Sequence, residues 1–290
     1  MATNYDRAAE SLGNILHMEH INLQIPNQEL ATLYYISGLQ LTRDPFLLTG
    51  IDNMWVNIGR NQLHLPSREP APQLLRGTLG IIVPNIDKVE QSFISIKENL
   101  TNTDFSFFRT TDWIETTCPW GNHLRIHSPD PEFGAIHLGM PYVELNAPVG
   151  SAKKIASFYQ EIMGAVTSIG SRNGATCASV STGNSQYMHF IETEKLQPEY
   201  DGHHVAIYIS DFVAPYEKLK SLELISLESN QYEWRFVDIV DLDTGEIIFK
   251  LEHEVRSATH PLYARPLVNR NPDQTALEYH RGQDQFLGQI

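Results

Sequence analysis

Histidines and carboxylates on strand-like runs are the residues of this chain with the clearest chemical capacity. In H-V-A-I-Y-I-S (His204–Ser210), Val205, Ile207 and Ile209 alternate with His204, Ala206 and Tyr208. The apolar set must pack on a covering helix, which sends the other set to the opposite face. The same parity turns His20, Thr78 and Tyr142 to that face in three further runs. Later runs carry His64, Arg125, His189, and Lys250 or Glu252 on it. Imidazoles and carboxylates sharing one face suit a divalent metal. A guanidinium among histidines suits an anion, and Arg125 with His20 and His64 is the candidate set. Phosphate-cradling glycine loops and the G-x-S-x-G nucleophile turn are absent.

The elements that must position these residues repeat. H-I-N-L-Q-I-P-N (His20–Asn27), T-L-G-I-I-V-P-N (Thr78–Asn85), Y-V-E-L-N-A-P-V (Tyr142–Val149) and H-V-A-I-Y-I-S-D (His204–Asp211) each read as a half-buried strand. Each leads into a helical pattern: QELATLYYI, IDKVEQSFISIKENL, SAKKIASFYQEIMG and FVAPYEKLKSLEL. Two or three strand-like segments follow every helix, so a βαβββ unit recurs four times. Pro129–Gly134 (P-D-P-E-F-G) is the best internal boundary. It predicts an N-terminal module pair over 13–130 and a C-terminal pair over 134–256. Residues 257–290 lose periodicity and read as an extended arm. Leu262, Tyr263, Leu267 and Val268 should dock its first half on a homo-oligomer partner or on the mouth of the second barrel.

Composition narrows the class. Lys plus Arg is 21 against 35 for Asp plus Glu, a net charge of −14. With no basic cluster, that balance disfavours nucleic acid and anionic membrane as partners. The first twenty residues lack the apolar run of a signal peptide, and Cys118 and Cys177 are too few for a disulfide framework. A cytoplasmic protein acting on a small molecule is the expectation.

The H-I-x-L-x-I-P opening, the aromatic pairs Tyr34-Tyr35 and Phe158-Tyr159, and the G-N turn of C-P-W-G-N (Cys118–Asn122) carry a resemblance. Residues 13–256 resemble the vicinal oxygen chelate superfamily: glyoxalase I, bleomycin- and fosfomycin-resistance proteins, and extradiol ring-cleaving dioxygenases. The resemblance implies an α+β fold of four βαβββ modules paired into two incompletely closed β-barrels, with metal ligands from the first and last strands of each module. The four-module length is most similar to the extradiol dioxygenases, whose site lies in the second pair.

For that pair the implied ligands are His189, His204 and Glu252. Lys250 and Glu254 are the neighbouring alternatives on the same strand. Two imidazoles and a carboxylate favour Fe(II), with Mn(II) or Zn(II) also suited. The set is permuted, because Tyr142 stands where extradiol enzymes carry their first histidine. Tyr142 and Tyr208 become candidate catalytic hydrogen-bond donors. The first pair, with Arg125 to repel a cation, is expected to be vestigial. The leading expectation is a metal-dependent ring-cleaving dioxygenase of a vicinally oxygenated substrate. The rivals are a glyoxalase-like lyase or isomerase and a metal-free binding protein.

Overall fold

The computed structural model describes residues 5–47, 52–67, 71–271 and 277. The first module contains β1 (Ile15–Asn22), helix α1 (Gln28–Ala31, continuing as a π-helical turn over Thr32–Gly38), β2 (Thr42–Arg43), β3 (Asn53–Ile58) and β4 (Asn61–Pro66). The second contains β5 (Gly77–Ile82), α2 (Ile86–Ile96), β6 (Ser106–Arg109), β7 (Trp113–Thr117) and β8 (His123–His127). The third contains β9 (Gly139–Pro148), α3 (Ala152–Glu161), β10 (Thr167–Arg172), β11 (Ala175–Gly183) and β12 (Gln186–Thr193). The fourth contains β13 (His204–Ile209), α4 (Val213–Ser221), β14 (Ile225–Asn230), β15 (Glu233–Val240) and β16 (Ile247–Ser257). Four βαβββ modules are therefore present.

Local chemistry explains where the helices begin. Asn27 and Asn85 end the repeated P-N dipeptide, and each side chain accepts a hydrogen bond from the N–H three residues on, Leu30 at 2.9 Å and Lys88 at 3.0 Å. These are N-caps, which satisfy an otherwise orphaned helix donor. In α2, Ile86, Val89, Phe93 and Ile96 fall at helical spacing and are all buried.

The eight-stranded sheets run β14-β15-β16-β13-β1-β4-β3-β2 and β10-β11-β12-β9-β5-β8-β7-β6. The first module thus shares a sheet with the fourth, and the second with the third. Sheet pairing thus does not follow the expected division into 13–130 and 134–256. Pro129–Gly134 is a capped 3₁₀ turn, with Asp130 accepting from the Glu132 N–H at 2.9 Å. It bounds modules while leaving the chain within one sheet. The crossings between sheets are instead residues 67–76 and 194–203.

Two glycines make the β5–β9 seam. A Cβ on Gly77 would lie 1.8 Å from the Glu144 carbonyl oxygen, and one on Gly80 would lie 2.5 Å from the Tyr142 ring. Such close approach depends on particular side chains meeting across the seam, so hydrophobic periodicity carries no trace of it.

Helices join the two sheets into one apolar core. Tyr34 stacks on Phe93 at 5.7 Å between the first two helices. Tyr159 on α3 hydrogen-bonds His253 Nε2 on β16 at 2.6 Å, and His253 Nδ1 lies 2.8 Å from the Leu251 carbonyl. Burial pushes the His253 pKa down to about 3, so the ring is neutral and its tautomer fixed.

The arm after β16 docks on the first module of its own sheet. Arg265 pairs with Asp44 at 2.8 Å, and Asn269 exchanges hydrogen bonds with the Gly59 N–H (2.9 Å) and carbonyl (2.8 Å). Of the four residues expected to dock the arm, Tyr263 packs on Tyr208 at 4.9 Å and the Val268 carbonyl accepts from Asn57, both within the chain. Among the described residues no helix is long and apolar enough to cross a membrane.

Gly77→Ala should cost about 2 kcal/mol or more of unfolding free energy through overpacking at the seam. Gly170→Ala, where an added Cβ meets nothing within 4 Å, should stay within about 1 kcal/mol of wild type. Urea denaturation of both variants checks the pair.

Candidate metal centre

The β1–β13 seam assembles a site from both ends of the chain. A register shift between Met18 and His20 marks a bulge in β1. Two consecutive side chains, Glu19 and His20, are consequently buried within reach of the same centre. Parallel pairing then sets Asn22 beside His64 on β4, His204 beside Glu252, and Ala206 beside Glu254 on β16.

One ligand atom from each of His20, His64 and His204 lies within 4.8 Å of the others. Glu254 Oε2 lies 3.3 Å from His204 Nε2. The four side chains come from β1, β4, β13 and β16, the first and last strands of two modules.

Each imidazole has its outer nitrogen held. His20 Nδ1 meets Glu19 Oε2 at 3.0 Å, His64 Nε2 meets Asn53 Oδ1 at 2.8 Å, and His204 Nδ1 meets Glu252 Oε2 at 3.3 Å. The inner nitrogens are His20 Nε2, His64 Nδ1 and His204 Nε2. His20 Nε2 is buried without a hydrogen-bond partner, and His204 Nε2 faces Glu254 without completing one. Buried, orphaned imidazole nitrogens aimed at a common point are costly unless a ligand satisfies them. Outer partners that orient ligating histidines are the usual supporting layer of a metal site. The residues therefore fit a divalent cation held by three imidazoles, with the Glu254 carboxylate beside His204.

Charge points the same way. Burial depresses the pKa of His20, and burial with His20 and His204 nearby pushes His64 down to about 2, so both are neutral lone-pair donors. Burial works against a charged His204, but the Glu252 and Glu254 carboxylates, each 3.3 Å from its ring nitrogens, outweigh it and hold its pKa above the ordinary value. Burial would raise Glu254, yet His204, His20, Arg256 and Arg235 keep it well below the usual carboxylate range. Around the centre, Glu19, Glu233, Glu252 and Glu254 face only two guanidiniums, Arg235 and Arg256. With neutral imidazoles that leaves two negative charges, the complement of a dication. Without one, a proton on His204 meets part of the deficit.

The sequence-derived ligands are partly brought together. His204 is at the centre. Glu252 and Glu254 each lie 3.3 Å from its ring, at Nδ1 and Nε2 respectively. Lys250 is turned away, paired with Asp238 at 2.7 Å. His189 is on β12 of the other sheet, bonded to Ser179 Oγ at 2.9 Å, and cannot share a metal with His204. Tyr142 is also in the other sheet, 2.7 Å from His127 Nε2, and burial raises its pKa to about 12. Tyr208 does flank the centre, where its hydroxyl donates to Glu19 Oε1 at 2.9 Å. His20 and His64, both from the first module, lie beside His204 where His189 was expected. The anion set of Arg125, His20 and His64 does not form, because Arg125 lies on β8 of the second sheet.

A scan against family models finds no match, and no curated protein matches in sequence. Solved structures do. Glyoxalase I from Zea mays aligns over 84% of this chain and 92% of its own, with TM-score 0.57 and 14% identity. A "putative dioxygenase" from Bacillus subtilis subsp. subtilis str. 168 aligns over 84% and 86%, with TM-score 0.56 and 14% identity. This is the vicinal oxygen chelate fold. At such identities the likeness concerns architecture, so the chemistry of this vicinal oxygen chelate fold must be argued from its own side chains.

His64→Ala and His204→Ala should each reduce divalent metal, measured by elemental analysis after reconstitution, from near one per chain to below about a tenth. His189→Ala should leave it unchanged. Metal binding must displace the proton that Glu252 and Glu254 hold on His204. Affinity for Zn(II) or Co(II) should therefore rise as pH climbs past the ordinary imidazole range, with proton release detectable calorimetrically.

Proposed function

We propose that the chain is a metal-dependent enzyme of the glyoxalase-like lyase or isomerase type, acting on a small vicinally oxygenated substrate such as a 2-hydroxycarbonyl compound. The observation that carries this reading is the number of convergent ligands. His20, His64 and His204 would hold the cation and Glu254 would join them from beside His204, which would leave room for two neighbouring substrate oxygens and too little for dioxygen besides. The donor set suits Zn(II), Ni(II), Co(II) or Fe(II). A bound cation would supply Lewis-acid polarisation of both oxygens.

The remaining work falls to side chains. Glu252 is the more exposed of the two carboxylates beside His204. Burial alone would raise its pKa, but His204 and Arg235 hold it low, so it is ionised and able to take a proton from a carbon next to a carbonyl. Trp55 stacks on His64 at 3.8 Å between centroids and meets His20 edge-on at 4.9 Å. It gives the substrate an apolar wall and keeps water from the inner nitrogens. Tyr208 and Arg256 hold Glu19, which in turn fixes the His20 tautomer.

One observation favours ring cleavage as a second reading. Glu254 is also ion-paired to Arg235 and Arg256. If it stays with them, three imidazoles alone would leave room for a catechol and O₂.

Metal-loaded protein in D₂O should exchange the carbon-bound proton of 2-hydroxycarbonyl compounds, followed by NMR. Glu252→Gln should slow exchange about a hundredfold while retaining metal. Oxygen uptake in step with catechol loss by the iron form, without exchange, would overturn the lyase reading in favour of ring cleavage.

A further inference from the structure

The second sheet presents the same four strand positions with different chemistry. In the first sheet Asn22 lies opposite His204 and beside His64, and Ala206 lies beside Glu254. In the second, Gly80 lies opposite Tyr142 and beside Arg125, and Glu144 lies beside His189. Transferring the register puts Thr78 in the position of His20, Arg125 in that of His64, Tyr142 in that of His204 and His189 in that of Glu254. One imidazole with a phenol, a hydroxyl and a guanidinium cannot hold a metal. A fixed organic cation stands there instead.

A cavity of about 350 Å³ opens over these positions, lined in part by Arg125, Arg172, His127 and His189. Its polar wall is held in place. Arg125 donates through Nε to Glu115 (2.7 Å) and through Nη1 to Glu144 (3.3 Å) and Tyr142 Oη (3.4 Å). Arg172 donates through Nε to Glu144 at 2.6 Å, and its guanidinium sits 4.7 Å from the Tyr142 ring centre. Among the described residues, Nη2 of Arg125 and both terminal nitrogens of Arg172 donate no hydrogen bond. Trp113, Phe133 and Tyr187 supply flat apolar walls to the same cavity.

We propose that this cavity is a second, metal-independent binding site for a small organic carboxylate carrying a flat apolar body. The free guanidinium N–H groups of Arg172 and Arg125 would take the carboxylate oxygens in the paired geometry that guanidinium favours. Glu115 and Glu144 already offset most of the arginine charge, so a monoanion bound by directed hydrogen bonds fits better than a phosphate dianion. The aromatic walls take the body of the ligand. Burial holds His127 and His189 at pKa values of about 4, so near neutral pH they act as hydrogen-bonding groups without adding charge.

Isothermal titration of the full chain with benzoate tests this, using chelator-treated protein, the Arg172→Met and Arg172→Lys variants, and His204→Ala. Expected are one saturable benzoate site per chain, unaffected by chelation or by His204→Ala. Affinity should fall about tenfold or more in Arg172→Met and less in Arg172→Lys, with unchanged circular dichroism. Benzamide, which keeps the ring and loses the charge, should bind at least about tenfold more weakly. No saturation by benzoate, benzamide as tight as benzoate, phosphate tighter than benzoate, or full affinity in a folded Arg172→Met would each overturn the proposal.

Discussion

Backbone pairing of β1 with β13 holds two strands from opposite ends of the chain at sheet distance, about 4.8 Å, and every ligand of the candidate centre is registered against that seam. His20 and His204 sit on the paired strands themselves. His64 and Glu254 sit on the parallel neighbours to either side. The bulge before His20 adds Glu19 to the same face, so one local irregularity supplies both a ligand and the group that orients it. The strap of residues beyond β16 returns to Asp44 and Gly59 and clamps the first module to the fourth from outside the sheet. Register, bulge and strap together leave the ligating atoms little freedom.

Burial of so much charge needs explaining in its own right. Ionised carboxylates are not buried without partners, because desolvation costs several kcal/mol per ion even after relaxation. Two arginines meet half of the requirement here. The arrangement is internally consistent only with a further positive charge at the centre, supplied by a cation or, in its absence, by a proton on His204. The second sheet resolves the same geometric problem differently: arginine takes a ligand position, two glutamates answer it, and no charge deficit remains. One backbone plan thus supports two electrostatic solutions.

Much of this was legible in the residues. Alternation in four runs located the opening strands, and the P-N dipeptides located two helix starts, because periodicity and capping are local. Strand parity also identified His20, His64, His189 and His204 as facing a concave surface. What the residues did not reveal was which modules meet. Gly77 and Gly80 fit β5 against β9 by close approach to Glu144 and Tyr142, a contact with no periodic signature. Mispairing the modules put His189 beside His204 and took His20 and His64 away. Glu19 was hidden for another reason, since regular alternation assigns it to the helix face and only a bulge turns it inward. Parity could not separate Glu252 from Glu254; the register of β16 against β13 does, and it gives them different tasks.

The order of the modules along the chain has a consequence for biosynthesis. Strands β5 to β12 form an uninterrupted stretch of sequence, so the second sheet and its arginine cavity can close while the fourth module is still inside the ribosome. His20 and His64 are made early and must wait, on strands with an unpaired β1 edge, until residues 204–254 emerge. An exposed strand edge is an invitation to mispairing. The first sheet therefore closes after the second, and its candidate ligand cluster closes with it.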